Sequence, residues 1–313
     1  MRPHRTPSRV AIWTALGTVY VVWGSTYLAI AIAVQTLPPL LSAGIRFLAA
    51  GVILCAWLVL RGANLRVSAR ELRGAAVVGF LLLASGNGMV MLGERTVPSG
   101  LSALIVASVP LWIVVYRRVG GESIGRDLLA GVLLGLVGVA ILVVPGGLSG
   151  AIAPTGALIL FIATLSWALG TFLSPRLGQP RNVLVATAYQ MLAGGAALTI
   201  GAAIVGEASR LDPSTFSLRS IVALLYLIAF GSLVGFTAYT WLLQHAPISL
   251  VSTYAYVNPV VAVVLGAVVL SEPVTPTTIA GAAVIVAAVA FIVTRQRAGA
   301  RHAIREPLAD AAK

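Results

Sequence analysis

Long apolar runs, separated by short clusters of Pro, Gly, Ser and Arg, recur along the chain. A helix that crosses a bilayer needs ~20 mostly apolar residues. Ten runs fit that measure, at approximately Val10–Val34, Leu40–Leu60, Gly74–Gly93, Ser99–Tyr116, Asp127–Pro145, Thr155–Ser174, Asn182–Val205, Arg219–Leu243, Ile248–Leu270 and Thr277–Thr294. The connections are short, as in Leu37-Pro38-Pro39, Pro145-Gly146-Gly147, Pro175-Arg176-Leu177-Gly178 and Asp212-Pro213. None is long enough to fold as a soluble domain. The pattern predicts an all-α polytopic membrane protein of ten transmembrane helices that acts within the bilayer.

Composition excludes the other classes. Of 313 residues, 59% are hydrophobic and 10% charged, against ~45–50% and ~25% in soluble domains. Too little polar surface remains for a soluble enzyme, a disordered chain or a disulfide-rich secreted domain. A net charge of +12 invites a nucleic-acid partner. Here, however, the basic residues sit between apolar runs, where they set membrane orientation instead. With the N-terminus in the cytoplasm, 17 of the 21 Lys and Arg fall on that side and only Arg95, Arg210 and Arg219 on the other. This predicts a multi-pass protein of the plasma (inner) membrane, with both tails, 1–9 and 295–313, cytoplasmic. The basic N-terminus resembles a signal peptide, but the apolar stretch after it is too long and is expected to stay as the first span. The one cysteine, Cys55, lies inside an apolar run and is assigned to helix packing.

The chain is also duplicated. Trp23 recurs as Trp167, 144 residues later, and Arg46-Phe-Leu-Ala-Ala-Gly51 meets Gln190-Met-Leu-Ala-Gly-Gly195 at the same offset. Pro98 and Pro110 match Pro247 and Pro259 at 149, and Glu122 and Gly131 match Glu272 and Gly281 at 150. Two halves, 10–145 and 155–294, therefore carry five spans each. Five is odd, so the second half enters the membrane from the opposite side. Inverted repeats of this kind build many secondary transporters, because two halves can rock about a midplane site.

Several motifs then fall in a recognisable order: Trp23-Gly-Ser-Thr-Tyr-Leu-Ala-Ile30, Gly44-Ile-Arg-Phe-Leu-Ala-Ala-Gly51, Val97-Pro-Ser-Gly100 with Val109-Pro110, Thr253-Tyr-Ala-Tyr-Val-Asn-Pro-Val260, and Glu272-Pro273. Together they resemble the EamA family of the drug/metabolite transporter superfamily, over nearly the whole chain. Gly86-Asn-Gly-Met-Val90 and the Tyr254-to-Pro259 stretch look closest to bacterial inner-membrane exporters of that family. The resemblance implies a ten-helix basket. Spans one to four and six to nine would surround a cavity, with five and ten as supports. It also implies export of amino acids, other metabolites or drugs.

Within the spans, Arg46 is the one charge well inside the apolar region. A central Arg costs ~2.5–3.5 kcal/mol on insertion scales, so it needs a reason to be there. It can face a cavity and pair with a substrate carboxylate or phosphate. It can also snorkel to the near interface, or bond a carbonyl on another helix. Its repeat mate, Gln190, hydrogen-bonds as well, which favours the cavity. Trp23 and Tyr27 share a helix face, with Thr26 beside them, and can stack on a substrate or simply pack. Trp167 and Thr171 repeat that spacing. Tyr254 and Asn258 share a face on the ninth span, and Asn87 lies between two glycines on the third. Pro259 frees the carbonyl of Ala255 and Pro110 that of Val106. A paired kink suits a gate or a cavity wall, or else a static bend. Gly131-x-x-x-Gly135 and Gly231-x-x-x-Gly235 have small-residue packing spacing, and Gly131 and Gly135 offer a homodimer contact as the alternative use.

The chain carries no HExxH, GxSxG, P-loop or metal-spaced His/Cys cluster. No enzyme, cofactor or metal site is expected. All nine acidic residues fall in loops, tails or span ends, and Glu94 at the end of the third span is the nearest to a cavity mouth. A drug antiporter built on a mid-membrane carboxylate is therefore disfavoured. The leading expectation is a secondary exporter of a small carboxylate-bearing metabolite. Arg46 would bind the anion, Trp23, Tyr27 and Trp167 the apolar part, and Gln190, Tyr254 and Asn258 would supply hydrogen bonds. The alternatives are efflux of apolar or cationic compounds over the aromatic faces, and a membrane interaction protein without transport.

Overall fold

A computed structural model describes residues 8–148 and 153–310. Most of the N-terminal tail (1–7), the link between the halves (149–152) and residues 311–313 lie outside the described residues. Among the described residues, ten helical rods follow one another: α1 (Arg9–Ala33), α2 (Pro39–Leu60), α3 (Ala69–Gly93), α4 (Ser99–Val119), α5 (Arg126–Leu148), α6 (Pro154–Leu173), α7 (Val183–Ile204), α8 (Leu218–His245), α9 (248–270) and α10 (Pro276–Asp310). Among the described residues there is no strand. Seven rods are long and apolar enough to cross a membrane, while α5, α9 and α10 contain the shorter apolar helices Leu128–Ile141, Val257–Leu270 and Pro276–Ile292. The exposed surface carries large apolar side chains such as Val21, Val52, Leu133, Leu158, Ile200 and Val268. Lipid, not water, is the solvent of that surface.

The rods start where the local chemistry caps them. The Ser8, Asn182 and Ser217 side chains accept from backbone N–H groups at the starts of α1, α7 and α8. Proline opens α2 and α6, where its missing N–H removes no helical bond. Rod α3 begins five residues before its apolar run. Ser68 and Glu71 form a reciprocal capping box that stabilises a polar first turn. At the other end, α10 runs on past Thr294 to Asp310.

Packing follows the duplication. Rods α2 and α7 pack together, as do α5 and α10, and α4 and α9; each is a pair of repeat mates. The remaining contacts come in mirrored sets: α1 lies against α8 and α9, and its mate α6 lies against α3 and α4. The α2–α7 seam is glycine-lined. A Cβ on Gly195 would come within 2.7 Å of the Leu48 nitrogen, and one on Gly51 within 2.9 Å of Leu192. Gly131 and Gly135 face inward as well. A Cβ on Gly131 would lie 2.8 Å from Ile292 of α10, and one on Gly135 would overlap Leu111 of α4. They serve packing within the chain.

Two features were not legible in the apolar pattern. The middles of α3 and α8 are wound as π-helix, over Phe80–Gly88 and Leu227–Phe236, at matching positions of the two halves. In addition, α4 and α9 are interrupted, at Ala107–Ser108 and Ser252–Thr253. Pro259 sits inside the second segment of α9. Pro110 instead starts the second segment of α4, so it follows a break rather than kinking a continuous helix.

Loop contacts sort the connections into two faces. On the arginine-poor face, Glu207 Oε2 accepts from the Leu41 N–H at 2.9 Å and Ser217 bonds Thr36. On the arginine-rich face, the Tyr189 hydroxyl donates to the Leu65 carbonyl at 2.8 Å.

Candidate functional site

An aromatic cage fills the centre between the halves. Trp23 of α1 and Trp167 of α6, which are repeat mates, meet edge to face at 5.4 Å. Tyr239 of α8 lies 4.8 Å from Trp23 and 5.7 Å from Trp167, and Tyr254 of α9 closes the ring at 5.5 Å from Trp23 and 5.9 Å from Tyr239. Each such pair contributes ~0.5–1.5 kcal/mol beyond its buried area, which makes the cage stiff. Tyr239 was not singled out from the sequence. The available signal was Thr171, which stands where the first half has Tyr27: the shorter side chain leaves room, and the Tyr239 hydroxyl bonds its Oγ1 at 2.7 Å.

Beside the cage lies a cavity of about 40 Å³, lined by Trp23, Thr26, Tyr27, Asn87, Trp167, Tyr254 and Asn258 together with Ile30, Val90 and Val106. Six of the eight sequence-predicted binding residues therefore converge on one space. It has room for water but not for a metabolite, whose site needs ~300 Å³ or more. Thr26 and Asn258 are turned to the backbone. The Thr26 hydroxyl donates to the Trp23 carbonyl at 2.7 Å, and the Asn258 amide, oriented with its nitrogen toward the neighbouring oxygens, donates to the Tyr20 carbonyl at 3.1 Å and that of Tyr254 at 3.3 Å. The Trp167 indole N–H is buried and meets no acceptor.

Arg46 stands one side chain behind the cavity. It is 1% exposed, so it does not snorkel. Its Nη1 donates to Asn87 Oδ1 at 3.0 Å and its Nε to Ser232 Oγ at 2.8 Å, and its guanidinium lies 4.7 Å from the Phe47 ring centre. Among the described residues no carboxylate forms an ion pair with it. The π-helical winding explains the fit. A Cβ on Gly231 would come within 2.9 Å of Arg46 Nη2, and the Gly231 carbonyl accepts from the Trp23 indole at 3.2 Å. The α8 bulge thus ties the cage to the guanidinium, and Asn87, from the α3 bulge, touches both guanidinium and cavity. Such bulges are common at functional sites.

Gln190 does not share this place. Its Nε2 donates to Gln179 Oε1 in the α6–α7 connection, and its own Oε1 is buried without a partner. The residue lies outside the cavity lining. The sequence equivalence of Arg46 and Gln190 is therefore not an equivalence of chemistry, because each reaches different partners.

Two carboxylates on the arginine-poor face complete the picture. Glu272, in the α9–α10 connection, accepts from the Ser99 N–H (2.8 Å), the Ser99 hydroxyl (2.8 Å) and the Gly100 N–H (3.0 Å), and so holds the first turn of α4. Its repeat mate Glu122 binds Arg117 at 2.6 Å and Arg176 at 2.8 Å instead. Glu94, just past the end of α3, is by sequence the acidic residue nearest to a cavity mouth. The fold buries it to 6% exposure, and neither carboxyl oxygen has a hydrogen-bond partner. Burial, reinforced by the charge of Glu272, pushes its carboxyl well above the usual carboxylate range.

An all-helical, duplicated membrane protein with an aromatic and polar centre between its halves belongs to the class of membrane carriers. The sequence profile of the EamA-like transporter family matches residues 10–144 and 154–294. The chain belongs to this family; it is a transporter and not an enzyme. It is 43% identical to the uncharacterized inner membrane transporter YedA of Escherichia coli, over 82% of this chain and 81% of that one. It is 29% identical to the uncharacterized transporter YvbV of Bacillus subtilis, over 92% and 93%. It is 27% identical to a protein of Salmonella typhimurium named as a probable amino-acid metabolite efflux pump, over 86% and 90%. A crystal structure 21% identical in sequence superimposes with a TM-score of 0.66, covering 93% of this chain and all of the other, which shows a shared fold.

Proposed function

We propose that the protein exports a small carboxylate-bearing metabolite, an amino acid foremost, from the cytoplasm across the inner membrane by alternating access, with both termini cytoplasmic. The observation that carries this reading is Arg46, a buried guanidinium without a carboxylate, joined to the cavity through Asn87. A substrate carboxylate that displaces Asn87 gains a charge-assisted, two-pronged partner. The cage faces its apolar part, and the Trp167 N–H supplies a further donor. The Salmonella relative named for amino-acid metabolite efflux is in keeping with this substrate class. Access requires the cavity to widen several-fold. The Glu272 clasp on α4 closes the outer, arginine-poor side, and its release opens that side. Glu122, the repeat mate of Glu272, would hold α9 in the same way when the inner side closes.

The test is counterflow of a labelled amino-acid panel in proteoliposomes of the purified chain. Exchange of at least one amino acid, lost in Arg46→Gln, supports the reading; exchange unaffected by that substitution removes Arg46 from the site. The four-ring cage also suits an apolar or cationic compound. Resistance of overexpressing cells to dyes and quaternary amines, with none to toxic amino-acid analogues, would favour that second reading.

A further inference from the structure

Glu94 takes no part in the substrate contacts above, yet it is among the least ordinary side chains in the molecule. A carboxylate buried without a hydrogen bond is costly in its charged form, and such a group neutralises instead. Among the described residues, the rods named next offer no compensating cation. Rod α6 packs against this turn through Gly156 and Leu160 and contains no charged residue. The π segment of α3 contains none, and α2 contains only Arg46, which Asn87 and Ser232 hold. Arg95, next in the chain, is exposed and lines a vestibule of about 290 Å³ on the arginine-poor face, with Glu207 and Asp212. On its other side Glu94 is one helical turn from the central cavity: its backbone N–H donates at 3.0 Å to the carbonyl of Val90, which lines that cavity. Glu94 therefore stands between the central cavity, reached through Val90, and the vestibule, reached through Arg95.

We propose that Glu94 is the proton-binding site that couples transport, carrying one proton inward for each export cycle. The proposal rests on the exporter reading and adds the coupling ion to it. In the closed form, whose cavity is too small for a metabolite, the carboxyl is protonated and neutral, and the outer side shuts over it. Opening toward the outer vestibule brings water to the group, and the released substrate leaves a site that recloses only after the carboxylate has taken a proton from outside. On the inner side the proton leaves as substrate enters. The balance is one proton bound to one carboxylate oxygen and released from it, with no other bond made or broken.

Two measurements decide it. The first uses the purified full chain and the hydrophobic reagent dicyclohexylcarbodiimide, which reacts with protonated, water-shielded carboxyl groups. Peptide mass analysis at neutral pH should find the adduct on Glu94 and none on Glu272, and the adduct should fade as pH rises. An unmodified Glu94, or one modified equally at every pH, overturns the proposal without need of a variant. The second uses proteoliposomes and the labelled amino-acid panel. Glu94→Gln, which copies the neutral acid, should keep counterflow and lose accumulation driven by an imposed pH gradient. Gradient-driven accumulation that persists in Glu94→Gln, or is missing from the unaltered protein while its counterflow proceeds, also overturns the proposal. Absence of any counterflow in the unaltered protein counts against the exporter reading instead, and leaves the carbodiimide result to decide whether Glu94 binds a proton.

Discussion

The Glu272 clasp makes a quantitative prediction. Its carboxylate receives three donors at 2.8–3.0 Å, two of them backbone N–H groups in the first turn of α4. Hydrogen bonds to a charged group contribute ~1.5–3 kcal/mol each and neutral ones ~0.5–1.5. A negative charge at a helix N-terminus adds ~0.3–1 kcal/mol. Glu272→Gln removes the charge and turns one acceptor into a donor, which faces other donors. The net loss is about 2–3 kcal/mol, and at ~1.4 kcal/mol per decade the open fraction on the outer side rises about 30- to 140-fold. The assay replaces Cys55, the one cysteine, by Ala and introduces Ile30→Cys in the cavity wall, where Ile30 is 1% exposed. Labelling by a membrane-impermeant maleimide from outside then reports the open fraction. Glu272→Gln should accelerate labelling by about that factor, and Glu122→Gln should not. An unchanged rate in Glu272→Gln, or equal acceleration by both, refutes the view that this clasp closes the outer side.

Three further outcomes are expected. Arg46→Lys retains charge but loses the planar fork, so exchange of carboxylates should fall at least tenfold, about 1.4 kcal/mol, while gel filtration shows an intact carrier; unchanged exchange removes the two-pronged contact. Trp167→Phe keeps a ring in the cage but deletes the unpartnered N–H. It should raise KM by roughly 3- to 10-fold, the ~0.5–1.5 kcal/mol of one neutral hydrogen bond, with kcat near normal; an unaltered KM means that the indole N–H meets no substrate. Gly195→Leu forces a side chain into the α2–α7 seam, where even a Cβ lies 2.7 Å from backbone. It should destabilise by about 1–3 kcal/mol, read as a lowered midpoint in thermal gel filtration; an unshifted midpoint shows that the seam is slack.

The sequence by itself determined the class and the scaffold. Apolar runs of membrane length allow only helices that satisfy their own backbone, so the ten rods followed from hydropathy, within a residue or two at most ends. Recurrence of Trp23 as Trp167 and of Glu122 as Glu272 exposed the duplication before any contact was known. Trp23 and Tyr27, and Tyr254 and Asn258, could be put on shared helix faces from their spacing, and these four line one cavity with Asn87 and Trp167. Only the tertiary structure decided the rest. Gln190 left the site and Tyr239 joined it, because neighbours across helices are chosen by packing and not by repeat position. In the π-helical bulges Gly231 and Gly86 leave room for Arg46 and Trp167 from other rods, contacts that no local pattern encodes. Glu94 shows the same limit most plainly. The sequence puts it at a span end near a cavity mouth, and only the rods packed around that turn take its carboxyl out of water.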